Sequence, residues 1–314
     1  MRFVVGFLLI IFVSAIIIRS NSSEDLDNDL SPFIEANNSD VVRKPEMTED
    51  NNAHPKGSHH YNTMAIEIPK CIKPASEQLL SRYAYTTSYN QETKCPNWVA
   101  WSLTREHTVG PYSRDGVPYY DDKGSAIGIP SFTVDVVSNE YFVDNDVPMP
   151  RQEHVDWKEH PRGIDHGHMC PAADCTWDKV AMNQSFLLTN MCPQNHDLNG
   201  GDWAKLESKC RTWAKHYGQI YIVAGPIFDG NNQQTFGVHK IPIPDAFFKV
   251  VLCLQGKPKA IGFFYNNDSS NQPMRNQVRS VDEIESITGF DFFSSLPDEL
   301  EDAIEALPDF GEWR

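Results

Sequence analysis

Long apolar runs alternate with polar, capped segments along this chain, and the alternation predicts strands interleaved with helices. SRYAYTTSYN (81–90) and PNWVAWSLT (96–104) are rich in aromatic and β-branched residues and read as strands. QSFLLTNMC (184–192), QIYIVAGPIF (219–228), AFFKVVLCL (246–254) and KAIGFFYNN (259–267) are further predicted strands. Their near-continuous apolarity suits the centre of a covered sheet. Between them, DWAKLESKCRTWAKHYG puts Trp203, Leu206, Cys210, Trp213 and Tyr217 on one helical stripe, which Gly218 ends. SVDEIESITG opens with a capping box, Ser280 to Glu283, and closes at Gly289. PDELEDAIEAL is a last short helix. The expected class is α+β: a central, mainly antiparallel sheet with helices on its faces.

The same pattern divides the chain. One Arg precedes an apolar run from Phe3 to Ile18, and Val13-Ser14-Ala15 resembles a small-residue cleavage site. Residues 1–20 therefore read as a signal peptide or signal anchor. The run is short of the roughly 20 residues of a spanning helix. The body is expected outside the cytoplasm, secreted or periplasmic, or tethered to a membrane through residues 3–18 if the segment stays. Residues 21–63 are polar and acidic, too poor in large apolar side chains to offset chain entropy, and read as a disordered linker. With no internal repeat and no second linker, residues 64–314 are expected to form one domain.

Composition changes this picture in two places. The net charge of -16 is concentrated at the flanks: residues 24–50 hold nine acids and two bases, and residues 282–314 hold eleven acids and one base. The middle is nearly neutral, so the overall charge neither supports nor excludes an anionic substrate. Seven cysteines in an exported chain imply some disulfide pairing, with at least one thiol left over.

Two segments carry candidate chemistry. In GIDHGHMCPAAD (163–174), strand alternation puts His166 and His168 on one face. Gly167 allows another backbone or a ligand to approach closely, and Pro171 stops the strand. A satisfied, half-buried imidazole is the ordinary reading of either His. A zinc set of His166, His168, Cys170 and Cys175 fits no common structural spacing. In NMCPQNHDLNGGDWAKLESKCR (190–211), Asn199 precedes Gly200-Gly201 and the helix, where a plain cap is the default. Glu207 and Arg211 are one turn apart. As a surface pair they would contribute only about 0.3–0.5 kcal/mol, but both flank the apolar stripe.

Together the segments read D-x-G-H-x-x-P-A-A-D followed by N-x-x-P-Q-x-x-x-L-N-x-x-x-W-x-x-L-E-x-x-x-R. This resembles the DNA/RNA non-specific endonucleases, the sugar-non-specific nucleases of the ββα-metal (His-Me finger) class. The matching positions are Asp165, Gly167, His168, Pro171 to Asp174, Asn190, Pro193, Gln194, Leu198, Asn199, Trp203, Leu206, Glu207 and Arg211. The resemblance extends over residues 80–306. It implies His168 as general base, suited by an imidazole that takes a proton near neutral pH. It implies Asn199 as the direct ligand of one Mg²⁺, with Mn²⁺ a substitute, the rest of the shell being mostly water. Glu207 would hold a metal-bound water, and Arg211 would grip phosphate. Asn190 and Gln194 would support site and substrate, and an upstream arginine, Arg114 with Arg105 as rival, would contact phosphate. DNA and RNA would be cut to 5′-phosphate ends, and a homodimer is within the family's range. One departure stands out: His166 occupies the place of the family's arginine. That change keeps open a degenerate domain that binds nucleic acid without cutting it, beside the structural zinc reading.

Overall fold

The computed structural model describes residues 65–73, 75–112, 141–230 and 233–313. The apolar N-terminal run, the linker and Arg114 lie outside the described residues. The strands are β1 (Lys70–Cys71), β2 (Gln78–Ser81), β3 (Thr86–Asn90), β4 (Cys95–Thr104), β5 (Ile164–His168), β6 (Met191–Asn195), β7 (Gln219–Ile227), β8 (Thr235–Phe236), β9 (Ile241–Pro242), β10 (Ala246–Cys253), β11 (Lys259–Asn266), β12 (Val278–Arg279) and β13 (Phe290–Asp291). The α-helices are α1 (Lys179–Ser185), α2 (Ala204–Tyr217), α3 (Val281–Thr288) and α4 (Asp298–Glu305). Seven strands form one sheet in the order β12-β11-β10-β7-β4-β3-β2, with every neighbouring pair antiparallel.

Strand alternation gives this sheet two apolar faces, and helices cover both. Val99, Trp101 and Leu103 of β4, Ile220 and Ile222 of β7, and Phe247 and Val251 of β10 pack with Leu206, Cys210 and Trp213 of α2. Trp98 and Ala100, Val223, and Phe248 and Val250 face the other way and pack with Val281 and Ile284 of α3 and Ile304 of α4. Burial on both sides explains why these strands read as unbroken apolar runs. Each large side chain buried this way contributes about 1.5–3 kcal/mol.

The helix signals hold where they were specific. Ser280 Oγ accepts from Glu283 N at 3.0 Å, Ser280 N donates to Glu283 Oε2 at 2.9 Å, and Gly289 ends α3 in the left-handed region at φ 76°. Three expectations fail. Residues 81–90 are not one strand: β2 ends at Ser81, a turn closed by Arg82 N donating to Tyr85 O at 2.8 Å follows, and β3 starts at Thr86. Residues 184–190 are not strand: α1, capped by Asp178 Oδ1 accepting from Val180 N and Ala181 N, runs to Ser185, and a 3₁₀ turn follows at Leu188–Asn190. Phe186 and Leu188 are buried as a strand's would be, but the ladder begins only at Met191. The expected disulfides are also not formed. All seven cysteines are free thiols, with Cys170 and Cys175 Sγ 3.9 Å apart, far beyond the roughly 2.05 Å of an S–S bond.

Candidate active site

A two-stranded hairpin, β5 paired with β6, carries the first candidate segment. His166 and His168 project on one side of β5, where Tyr141 meets both rings at 3.9 and 6.1 Å between centroids. They are unequal. His166 is held between Tyr141 and Trp157, the latter stacked at 3.5 Å. Burial, with neighbouring His160 and His168, drives its pKa down to about 3, so it is neutral at physiological pH. His168 meets the edge of Phe186 at 5.3 Å, and its carbonyl accepts from Trp203 Nε1 at 3.3 Å.

Gly167 is demanded by Gln194, across the hairpin. A Cβ at 167 would stand 2.6 Å from the Cβ of Gln194 and nearer still to its Oε1. The loop after His168 is braced by Asn190. This fully buried amide accepts from Cys170 N at 3.0 Å and donates to Cys170 O at 2.9 Å and Ser185 O at 2.8 Å. The amide is spent on backbone, so Asn190 positions the site and does not face the cleft.

The second segment enters through a π-helical turn, Leu198–Trp203, which runs into α2. Asn199 lies within this turn and is not a cap; such turns recur at functional sites. Its Nδ2 donates to Asp165 Oδ2 at 3.0 Å, an oxygen that also meets His196 Nδ1 at 2.9 Å. With the amino group so engaged, the carbonyl oxygen is the group Asn199 has left to offer.

Tyr141, Asp165, His166, His168, Pro171, Asn199 and Glu207 line one cleft of about 510 Å³. Burial raises the Glu207 carboxyl to about 7, against the opposing pull of Lys249 and Arg211; Asp174 pushes it further up. Arg211 pairs with Asp174: its Nη1 meets Asp174 Oδ1 at 3.0 Å, and Trp101 Nε1 donates to Oδ2 at 3.1 Å. The i,i+4 surface pair with Glu207 is thus replaced by a partly buried ion pair to the first segment. Beneath lies Lys249 of β10, fully buried, its Nζ 4.3 Å from the Trp203 ring centroid and 5.5 Å from that of Trp101. Both indoles brace the site, Trp203 through the His168 carbonyl and Trp101 through the buried Asp174 carboxylate that holds Arg211.

The structure therefore brings His168, Asn199 and Glu207 together, sets Arg211 behind them on Asp174, and buries Asn190. Arg105 is tied to the end of α2, donating from Nε to Lys215 O at 2.8 Å. The zinc set does not assemble: among the described residues, the converging ligand sets reduce to three carboxylates elsewhere. Lys249, Trp157 and Tyr141 were missed. Lys249 had a signal, a lone cation in the unbroken apolar run AFFKVVLCL; the two aromatics had none, since they come from remote loops. For a hard divalent ion the donors suit: an amide oxygen oriented by Asp165, and the Glu207 carboxylate in the same half-buried cleft.

Residues 62–299 match the DNA/RNA non-specific endonuclease family. Nuclease C1 of Cunninghamella echinulata var. echinulata is 30% identical over 235 residues, covering 70% of this chain and 84% of its own. A nuclease of Nostoc sp. is 29% identical over 242 residues, covering 74% and 78%. Bos taurus mitochondrial endonuclease G is 28% identical over 195 residues, 59% and 58% of the two chains. The crystal structure of EndoG with EndoGI superposes with a TM-score of 0.58 at 22% identity, over 73% of this chain and 90% of that one.

Proposed function

Since the chain belongs to the DNA/RNA non-specific endonuclease family, a family of metal-dependent nucleases, we propose that His168 is its general base and Asn199 the direct ligand of one Mg²⁺. The observation that carries this reading is that His168, Asn199 and Glu207, from a hairpin and a helix, line one cleft. When bound, the ion supplies charge stabilisation to the phosphate and the departing 3′ oxygen. His168 takes the proton of the attacking water, and hydrolysis leaves a 5′-phosphate. The Trp203 indole fixes the His168 backbone, and Asp165 fixes the Asn199 amide. Glu207 accepts hydrogen bonds from water in the cleft, and does so best when ionised. Arg211, held by Asp174, sets positive charge behind the phosphate. Contacts to phosphate rather than base edges account for low sequence preference.

Plasmid DNA and RNA incubated with Mg²⁺ test the reading. Both are degraded, the ends accept kinase label only after phosphatase treatment, and His168→Ala and Asn199→Ala each abolish the reaction. Intact substrates with the parent chain, or parental rates in both variants, overturn it. Export is supported by the apolar run Phe3 to Ile18. N-terminal sequencing of chain recovered from the medium or periplasm tests it, and recovery only from inside cells counts against it.

A further inference from the structure

Carboxylates gather on the α3–α4 face of the sheet, away from the cleft. Asp282 and Glu285 stand one turn apart on α3, and Glu305 closes α4. One oxygen from each lies within 4.8 Å of the others. Glu305 is only 4% exposed, and its Oε1 is buried with no hydrogen-bond partner. The Oε1 of nearby Glu301 is buried in the same condition. The groups acting on Glu305 are all acidic: Glu285, Glu301, Asp282 and Asp291. Lys70 acts on Glu301. Burial and this crowding raise Glu305 to about 9 and Glu285 to about 7.

A buried carboxylate oxygen with no donor is costly, and native interiors rarely keep one. Protonation alone would relieve the charge, but it requires no convergence of three side chains from two helices. A cation does. We propose that Asp282, Glu285 and Glu305 bind one divalent cation of the calcium type, tying the end of α4 to α3. The donors are all carboxylate oxygens, which selects a hard ion. Ligands from two helices give the irregular, expandable shell that Ca²⁺ accepts and Mg²⁺ resists. Asp282 is exposed, so water can complete the shell. The site shares no residue with the cleft and does not depend on the nuclease reading.

Thermal unfolding after EDTA treatment and dialysis tests it, with Ca²⁺ as the probe. At about tenfold above the dissociation constant, Ca²⁺ raises the midpoint by about 3–6 °C. Asn199→Ala, which alters only the cleft, keeps that rise. Glu305→Gln and Glu285→Gln lose it, as does Asp282→Asn, whose exposed side chain is not needed for folding. Equilibrium dialysis shows one Ca²⁺ fewer per chain in these three variants. Without Ca²⁺ at neutral pH, Glu305→Gln melts above the parent, because the parent must take up a proton at this position on folding and the glutamine need not. A parent indifferent to Ca²⁺, or carboxylate variants that keep the full rise and stoichiometry, overturns the proposal.

Discussion

On one face of the central sheet, Glu207 is half-buried beside two cations; on the other, Glu305 is buried among four carboxylates. The strands beneath are the same. Lys249 projects from β10 toward α2, while its neighbours Phe248 and Val250 project toward α3 and α4. Lys249, a lone cation in an apolar strand, and Arg211 of α2 thus hold the Glu207 carboxyl at about 7, while Glu305, faced only by acids, is pushed to about 9. The lesson is that burial alone does not set the state of an acid. What sets it is whether the fold delivers an opposite charge to the same side of the sheet.

The largest contrast is in catalysis. His168→Ala is expected to lower kcat by about 10²–10⁴-fold on plasmid DNA, with the thermal midpoint little changed. Glu305→Gln keeps kcat within about twofold of the parent in the same assay, because it touches only the far face. Equal losses from the two would erase the distinction between a working face and a structural one.

Lys249→Met should make the cleft resemble the far corner. Without the ammonium, the Glu207 carboxyl rises above about 7. Each unit of rise costs about tenfold in the ionised fraction at lower pH. The expected result is a kcat/KM about tenfold lower at pH 7 that recovers toward pH 9, with the acid limb displaced upward. A profile that stays in place would show that the cation beneath Glu207 is electrically idle.

Gly167→Ala should cost about 1–3 kcal/mol in denaturant unfolding, since the new methyl meets the Gln194 side chain. Its effect should exceed that of an alanine at Gly200, where a Cβ would meet nothing within 4 Å. On the far face the readout is pH. The folded chain keeps protons on Glu285 and Glu305 that the unfolded chain has released. Stability in EDTA therefore falls as pH climbs from about 4.5 through about 9. Glu305→Gln should flatten that decline. The smallest expected effect is His166→Arg, which places a cation between Tyr141 and Trp157 and lowers KM a few-fold with kcat nearly unchanged.

The sheet was legible because a strand covered on both sides has to be apolar along nearly all its length, and 219–227, 246–253 (Lys249 apart) and 259–266 are. Residues 184–190 carried only the short apolar run Phe186 to Leu188, which makes a single isolated bridge to Phe142, and burial in a 3₁₀ turn satisfies that run equally well. Within the site, the shared side of His166 and His168 followed from alternation. Arg211 could not be placed that way: i,i+4 spacing names Glu207 as its neighbour, but Asp174 reaches it only through the tertiary fold. Asn190 shows the converse, a polar residue at a motif position whose work is to hold backbone. The stacking of Tyr141 and Trp157 on His166 joins segments far apart in the chain, and no local pattern reports it.

That stacking has a thermodynamic corollary. On the proposed reading of the cleft as the phosphate groove, an uncharged ring in its wall displaces no condensed counterion. Each cation a protein sets against duplex phosphate steepens the fall of log affinity with log ionic strength by about 0.9. By keeping position 166 neutral, the groove forgoes that increment and holds its grip better in brine than a guanidinium-lined one would.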